Sequence, residues 1–308
     1  MDDDTGVLKA ISRTLAKDFE VVATVSDGRQ ALTTVARLDP DIVVLDISMP
    51  GLNGFRTAEE LKRSGARSKV VFLTMHQDDG FVTEAVAHGA MGYVVKPCAW
   101  SDLIPALHHV QAGRKYLPTL VPLVKTNGGG HAVQFRWDDS AWLDEAADVL
   151  SGALRRGDTV ATVLVASNHA ALAARMGERG WNLADLEQQG LYLVFDADET
   201  ATRIMRAGRL DVDAINAMVA TLEAARTGTA VGPRSHLTLL GEIAGVLIRN
   251  GHAEAALELE RTWDELTRAL PILTICTYPQ SCFESGASSA FFAGVCAPHS
   301  VISHARCA

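Results

Sequence analysis

Several polar residues in the first hundred positions stand where apolar runs stop. Asp46 ends the run IVVL and opens ISMPGLNG, Thr74 ends KVVFL, Lys96 follows GYVV, and Asp2, Asp3 and Asp4 stand together at the amino end. Carboxylates are hard oxygen ligands of the kind Mg²⁺ prefers. A lysine ammonium supplies a point charge to anionic oxygens, and a hydroxyl can donate to a phosphate. Singly, a strand-end aspartate is a cap or turn residue and a Lys-Pro pair is surface punctuation. Together, and in this order, the residue types suit a site that holds a divalent cation and a phosphoryl group.

Such a site needs a scaffold that brings strand ends to one edge. Residues 1 to about 118 alternate helix and strand: helix Thr5 to Lys17, strand Glu20 to Val25, helix Gly28 to Arg37, strand Asp41 to Asp46. After the GLNG loop come a helix near Thr57 to Lys62, strand Lys69 to Thr74, a helix near Phe81 to His88, strand Gly92 to Lys96 and a helix from about Ser101 to Ala112. Continuous apolar strands, each followed by an amphipathic helix, predict a parallel sheet covered on both faces. In open sheets of this kind the working edge lies at the carboxyl ends of the strands.

VVLDISMPGLNG, LTMHQDD, GYVVKP and AGRKYL together resemble a response-regulator receiver domain. The resemblance implies an α/β fold: a doubly wound parallel-sheet receiver over residues 1–118. It also implies roles. Asp46 is the expected phosphoacceptor, Thr74 and Lys96 sense the phosphate, and Tyr93 couples that event to the surface around the fourth helix and fifth strand. Asp2, Asp3 and Asp46, with the backbone carbonyl of Ser48, are expected to hold Mg²⁺. The expected partner is a sensor histidine kinase, and a homodimer through the receiver is a further expectation. In receivers a hydrophobic first strand precedes the acidic pair. Here that first strand is missing, so Mg²⁺ affinity is expected to be weak, and a phosphorylation-independent ligand-binding or scaffold protein is the alternative reading.

Pro118, Pro122 and Gly128 to Gly130 predict a linker over 119–130. No Lys-Ser or Lys-Thr follows the glycines. A second α/β pattern then begins with strand HAVQF, a helix from about Ser140 to Arg155, and strand TVATVLVA. Strand LYLVFDA follows, then helices Glu199 to Arg206 and Val212 to Arg226, strand His236 to Leu240, helices Glu242 to Arg249 and Ala253 to Ala269, and strand LTICTY. HAVQF, LYLVFDADET, the stretch from LTLLGEIAGV to TWDEL, LTICTYP and VCAPHS resemble the methanogen/methylotroph sensory domain, MEDS. This implies a sensory or output domain over 131–302, RecA-like without a P-loop, and a tail over 303–308. No G-x-x-x-x-G-K-[ST] follows an early strand, and ASNHAAL stands at the expected turn. His131, Glu242 and Trp263, with Glu258, Glu260 and His252, are candidates for binding an unknown small molecule or protein. The blander reading makes Glu258 and Glu260 solvated helix residues, Glu242 a first-turn residue and His131 a structural strand-end residue. Cys276, Cys282, Cys296 and His299 lack the close cysteine pair of structural zinc sites, so buried thiols are expected.

With 308 residues, two domains can each bury a core. A formal net charge of −9 disfavours broad attraction to nucleic-acid phosphates, so no DNA binding is expected. No apolar stretch reaches membrane-spanning length and no basic signal start is visible, so the expected location is the cytoplasm, without membrane association. Neither unit offers an assignable acid–base pair or cofactor loop, and the chain is expected to be a phosphoacceptor rather than an enzyme.

Overall fold

The computed structural model describes residues 1–119, 130–136, 139–228, 236–279, 281–284 and 289–304. It divides into two compact units, Met1–Pro122 and Leu123–Ala305. Most of the expected linker, including Pro122, Gly128 and Gly129, lies outside the described residues, as does 305–308 of the expected tail. Gly130 already belongs to a strand, and the last described strand runs on to His304.

In the first unit the elements are α1 (Thr5–Leu15), α2 (Gly28–Leu38), β1 (Ile42–Leu45), α3 (Gly54–Arg63), β2 (Lys69–Thr74), α4 (Asp79–Ala87), β3 (Gly92–Val95), α5 (Ala99–Gln111) and β4 (Lys115–Leu117). The strands pair in the order β1-β2-β3-β4, all parallel. Leu45, Val71, Phe72 and Tyr93 are fully buried, as continuous apolar runs in a two-sided sheet should be. The helices start on side-chain caps: Asp4 accepts from the amides of Gly6 and Val7, Asp27 from Gln30 and Asn53 from Arg56. Gly54 explains the second glycine of GLNG. A Cβ there would lie 2.3 Å from the carbonyl oxygen of Asp46, so only glycine lets α3 begin so close to the end of β1.

One predicted strand is not formed. Glu20 to Val25 is irregular, with Val22 51% exposed. A strand needs a neighbour for its ladder, and among the described residues this segment's backbone is met by Asp2, whose N–H donates to Val25 O at 3.4 Å, while Asp46 N–H donates to Met1 O at 3.0 Å. Beyond that pair a groove of about 370 Å³ opens, lined by Ile11, Leu15, Val25, Val35, Val43 and Leu107 among others.

The second unit comprises β5 (Gly130–Arg136), α6 (Asp139–Arg156), β6 (Thr159–Leu164), α7 (Ala166–Glu178), α8 (Leu183–Gln188), β7 (Tyr192–Asp196), α9 (Ala197–Arg203), β8 (Met205–Arg206), β9 (Arg209–Leu210) and α10 (Val212–Thr227). Then follow β10 (Leu237–Gly241), α11 (Ile243–Arg249), α12 (Ala253–Thr267), β11 (Ile272–Pro279), α13 (Ser281–Glu284), α14 (Ser289–Cys296) and β12 (Val301–His304). Its parallel sheet runs β12-β5-β11-β10-β6-β7. Strands β8 and β9 form a separate antiparallel hairpin. Helix α12 buries Ala256, Leu259 and Trp263, the face its helical spacing marks as core. Among the described residues no helix is long and apolar enough to cross a membrane.

Candidate functional site

At the carboxyl ends of β1 and β3, Lys96 Nζ lies 2.6 Å from Asp46 Oδ2 and 2.8 Å from Asp2 Oδ2. Asp46 and Asp2 are buried, and Asp3 is exposed beside them. The three carboxylates each offer an oxygen within 4.8 Å of the others. Asp46 Oδ1 accepts from the amide of Ser48 at 3.2 Å, and Asp2 Oδ1 accepts from the amide of Asp4 at 3.0 Å. Asp2 Oδ2 faces the lysine without a directed hydrogen bond. Burial works against the Lys96 charge, but its close contacts with the Asp2 and Asp46 carboxylates outweigh that and lift its pKa above the ordinary lysine value. An all-oxygen set of clustered carboxylates with one under-used buried oxygen fits a hard divalent cation such as Mg²⁺.

Thr74 is fully buried at the end of β2, and its Oγ1 accepts from the amide of His76 at 3.4 Å. The sequence reading passes over His76, yet it joins the site's two sides. Its Nε2 is 2.8 Å from Ser48 Oγ, and its carbonyl accepts from the Tyr93 hydroxyl at 3.0 Å. Tyr93 is completely buried; burial, then the charges of Asp78 and Asp46, hold its phenol above the usual range. The Tyr93→Phe variant is therefore expected to lose about 0.5–1.5 kcal/mol of receiver stability in urea titration, with the fold intact.

The second unit separates its candidates. Glu242, at the carboxyl end of β10, is buried and paired with Arg136, which caps the end of β5. It also accepts from Asn168 Nδ2 at 2.7 Å and from the amide of Val165 at 3.1 Å. Arg136 stacks over Trp142 at 4.2 Å. The amide at the start of α7, where a phosphate-cradling loop would present its donors, is thus taken by a carboxylate of the chain itself. Trp263 donates to Thr274 Oγ1 at 2.9 Å and lines an apolar cavity of about 30 Å³. Glu258 and His252 are exposed, and Glu260 is buried, which corrects its reading as a solvated helix residue. The cause is its partners. His131 Nε2 lies 3.1 Å away, Cys276 Sγ 3.2 Å and His299 Nε2 3.4 Å, and the Tyr278 hydroxyl donates to its other oxygen. Burial opposes the Glu260 charge, yet the two histidines outweigh it and hold the carboxyl well below the usual range. Glu242 stands at the start of α11, as its first-turn reading has it, and its carboxylate is a buried ion-pair member.

The response regulator receiver domain family matches residues 1–108. The family described as MEDS, the methanogen/methylotroph, DcmR sensory domain, matches residues 130–292, more than half of the chain. The chain belongs to the MEDS family and carries a receiver domain. Its receiver is similar to the nitrate/nitrite response regulator protein NarL of Escherichia coli K12, 34% identical over 40% of this chain and 58% of the relative. It is also similar to the response regulator GacA of Pseudomonas viridiflava, 34% identical over 38% of this chain and 56% of the relative. A solved LuxR-family two-component response regulator from Aurantimonas sp. SI85-9A1 is 30% identical, with a TM-score of 0.36, over 37% of this chain and 83% of that one. The chain spans somewhat more than half the length of these curated relatives.

Proposed function

We propose that this receiver–MEDS protein is a two-component response regulator in which Asp46 accepts a phosphoryl group from a sensor histidine kinase and the MEDS unit takes part in the response. The observation that supports this best is the pairing of Lys96 with both buried carboxylates at the strand ends, 2.6 Å from Asp46 and 2.8 Å from Asp2. Asp2, Asp3 and Asp46, with the Ser48 carbonyl, would hold Mg²⁺, whose contribution when bound is charge neutralisation at the phosphoryl oxygens. An Asp46 oxygen attacks phosphorus, the O–P bond forms as the P–N bond to the kinase histidine breaks, and the released imidazole takes a proton from solvent. Lys96 stays protonated and follows the new negative charge. Thr74 already accepts from the His76 amide, which leaves its hydroxyl proton to donate to the phosphoryl group. Movement of Thr74 then reaches His76, and through it Ser48 and Tyr93.

The test compares wild type with Asp46→Ala, using a small acyl-phosphate donor and Mg²⁺. Wild type is expected to take up a hydroxylamine-sensitive label, and the variant at least about 100-fold less, because the nucleophile itself is gone. Equal labelling of the two would sink the reading and favour a phosphorylation-independent receiver.

A further inference from the structure

The MEDS unit holds a second cluster of a different chemical kind. His131 lies on β5, Cys276 on β11, Glu260 on α12, and His299 in the turn between α14 and β12. One atom from each converges: His131 Nε2, Cys276 Sγ, Glu260 Oε2 and His299 Nε2 all lie within 4.8 Å of one another. Four of the six separations are 3.1 Å for His131–Glu260, 3.2 Å for His131–Cys276, 3.2 Å for Cys276–Glu260 and 3.4 Å for His299–Glu260. Tetrahedral zinc with bonds of about 2.0 Å to nitrogen or oxygen and about 2.3 Å to sulfur needs ligand–ligand edges of roughly 3.3–3.5 Å. Those four edges lie within a few tenths of an ångström of that figure.

Hydrogen bonding alone does not satisfy these atoms. In its neutral form His299 donates Nδ1–H to the carbonyl of Val295 at 2.7 Å, which leaves a bare lone pair on Nε2 facing the Glu260 carboxylate. That Nε2 is buried and has no hydrogen-bond partner among the described residues, and neither has His131 Nδ1. If His131 carries its proton on Nδ1, toward Asp264 Oδ1 at 3.7 Å, its Nε2 also turns a lone pair on Glu260. If the proton sits on Nε2, the Nδ1 lone pair faces Asp264 instead. Protonating both rings would bury two cations with centroids 4.0 Å apart. A cation at the centre removes the conflict, because all four atoms then point electron pairs at it.

The surroundings complete the pattern of a metal centre. Each imidazole has its second nitrogen near an oxygen, the Val295 carbonyl for His299 and Asp264 for His131, which is how ligating histidines are held. The free oxygen of Glu260 is fixed by Tyr278. Cys282, by contrast, has its sulfur near the carbonyl of Gly245, away from the four. We infer that His131, Glu260, Cys276 and His299 form a four-ligand site for a divalent transition metal of the zinc type. Two imidazoles, a carboxylate and a thiolate suit zinc and its neighbours rather than Mg²⁺. Four protein ligands leave no open position, so the ion is structural: it ties β5, β11, α12 and the approach to β12 together.

The full chain, stripped with a chelator and kept in excess Mg²⁺ so that the receiver carboxylates are occupied, is titrated with Co²⁺. The expected result is one equivalent of tight binding with a tetrahedral d–d spectrum and a thiolate-to-cobalt charge-transfer band, both abolished by Zn²⁺. Cys276→Ser should lose the charge-transfer band, and Cys282→Ser should keep it. X-ray absorption on the wild-type, zinc-loaded chain is expected to show one sulfur and three nitrogen or oxygen neighbours, a reading that does not depend on any variant folding. A wild type without the thiolate band, a band that survives Cys276→Ser, or a zinc shell with no sulfur or with several would overturn the assignment.

Discussion

A six-residue apolar strand fused ahead of Met1 is expected to stabilise the receiver by about 2–4 kcal/mol over the unextended chain. The groove beside β1 is lined by Ile11, Leu15, Val35, Val43 and Leu107, and an extended segment continuing the Met1–Asp2 backbone would run into it. Three or four buried apolar side chains contribute roughly 1.5–3 kcal/mol each. Ordering six residues takes back a large part, at roughly 1–2 kcal/mol per residue, and new ladder hydrogen bonds to β1 and to Glu20–Val25 restore some of it. The net gain is sizeable against the roughly 5–15 kcal/mol of a whole domain. Urea titration of the fused chain, with a Gly/Ser segment of equal length as control, measures it. Mg²⁺-dependent labelling of Asp46 should rise in the same variant, because Asp2 and Asp3 would then hang from an anchored strand. If the apolar and Gly/Ser fusions unfold at the same urea concentration, the groove is not a strand seat.

The largest single-residue effect is expected at Glu242→Ala. Arg136 and Glu242 pair in buried surroundings, with side chains 6% and 3% exposed. Removing the carboxylate takes an ion-pair partner from a buried guanidinium, a loss of about 3–5 kcal/mol in comparable pairs. It also strips acceptors from the Val165 amide and Asn168. Glu242→Gln, which keeps an acceptor, should cost less than Glu242→Ala. A double replacement of the pair by well-packed apolar residues should cost less again, since the buried charge leaves together with its partner. Near-UV circular dichroism of the buried Trp142 and Trp263 follows the MEDS unit through the denaturant transition, and a midpoint unmoved by Glu242→Ala would refute the pair's importance.

Much of the receiver was legible because its central strands are short, continuous apolar runs. Asp41 to Asp46 brackets the observed Ile42–Leu45, and Lys69 to Thr74 is the strand found. Glu20 to Val25 has strand composition too, yet sheet structure belongs to pairs, and composition does not show whether a partner lies beside it. Asp46, Thr74 and Lys96 could be found because each terminates a strand and the fold collects strand ends at one edge. His76 could not, since its value lies in a ring contact with Ser48 and a carbonyl offered to Tyr93. In the MEDS unit, HAVQF and LTICTY stood out as strands, whereas VISH is too short to show a period and α7 opens on the polar turn ASNHAAL. The four-residue cluster was scattered. Cys276 and His299 stand near Cys282 and Cys296 in sequence without a close cysteine pair, while Cys276 takes its partners from 145 residues upstream and 16 residues upstream.

Strand β12 bears on the order in which the MEDS unit can be completed. It pairs with β5, the first strand of the unit, and the amide and hydroxyl of Ser300 both close on the His131 carbonyl, at 2.8 and 3.0 Å, across 169 positions. During synthesis β5 must therefore wait, one edge bare, until almost all of the unit has been made. At about 5–20 residues per second that is an interval of roughly ten to thirty seconds. An unpaired apolar strand edge is an invitation to other chains for as long as it lasts. Slower elongation through 137–300 should then lower the soluble yield of the MEDS unit, and a circular permutant that places β12 immediately before β5 should recover it.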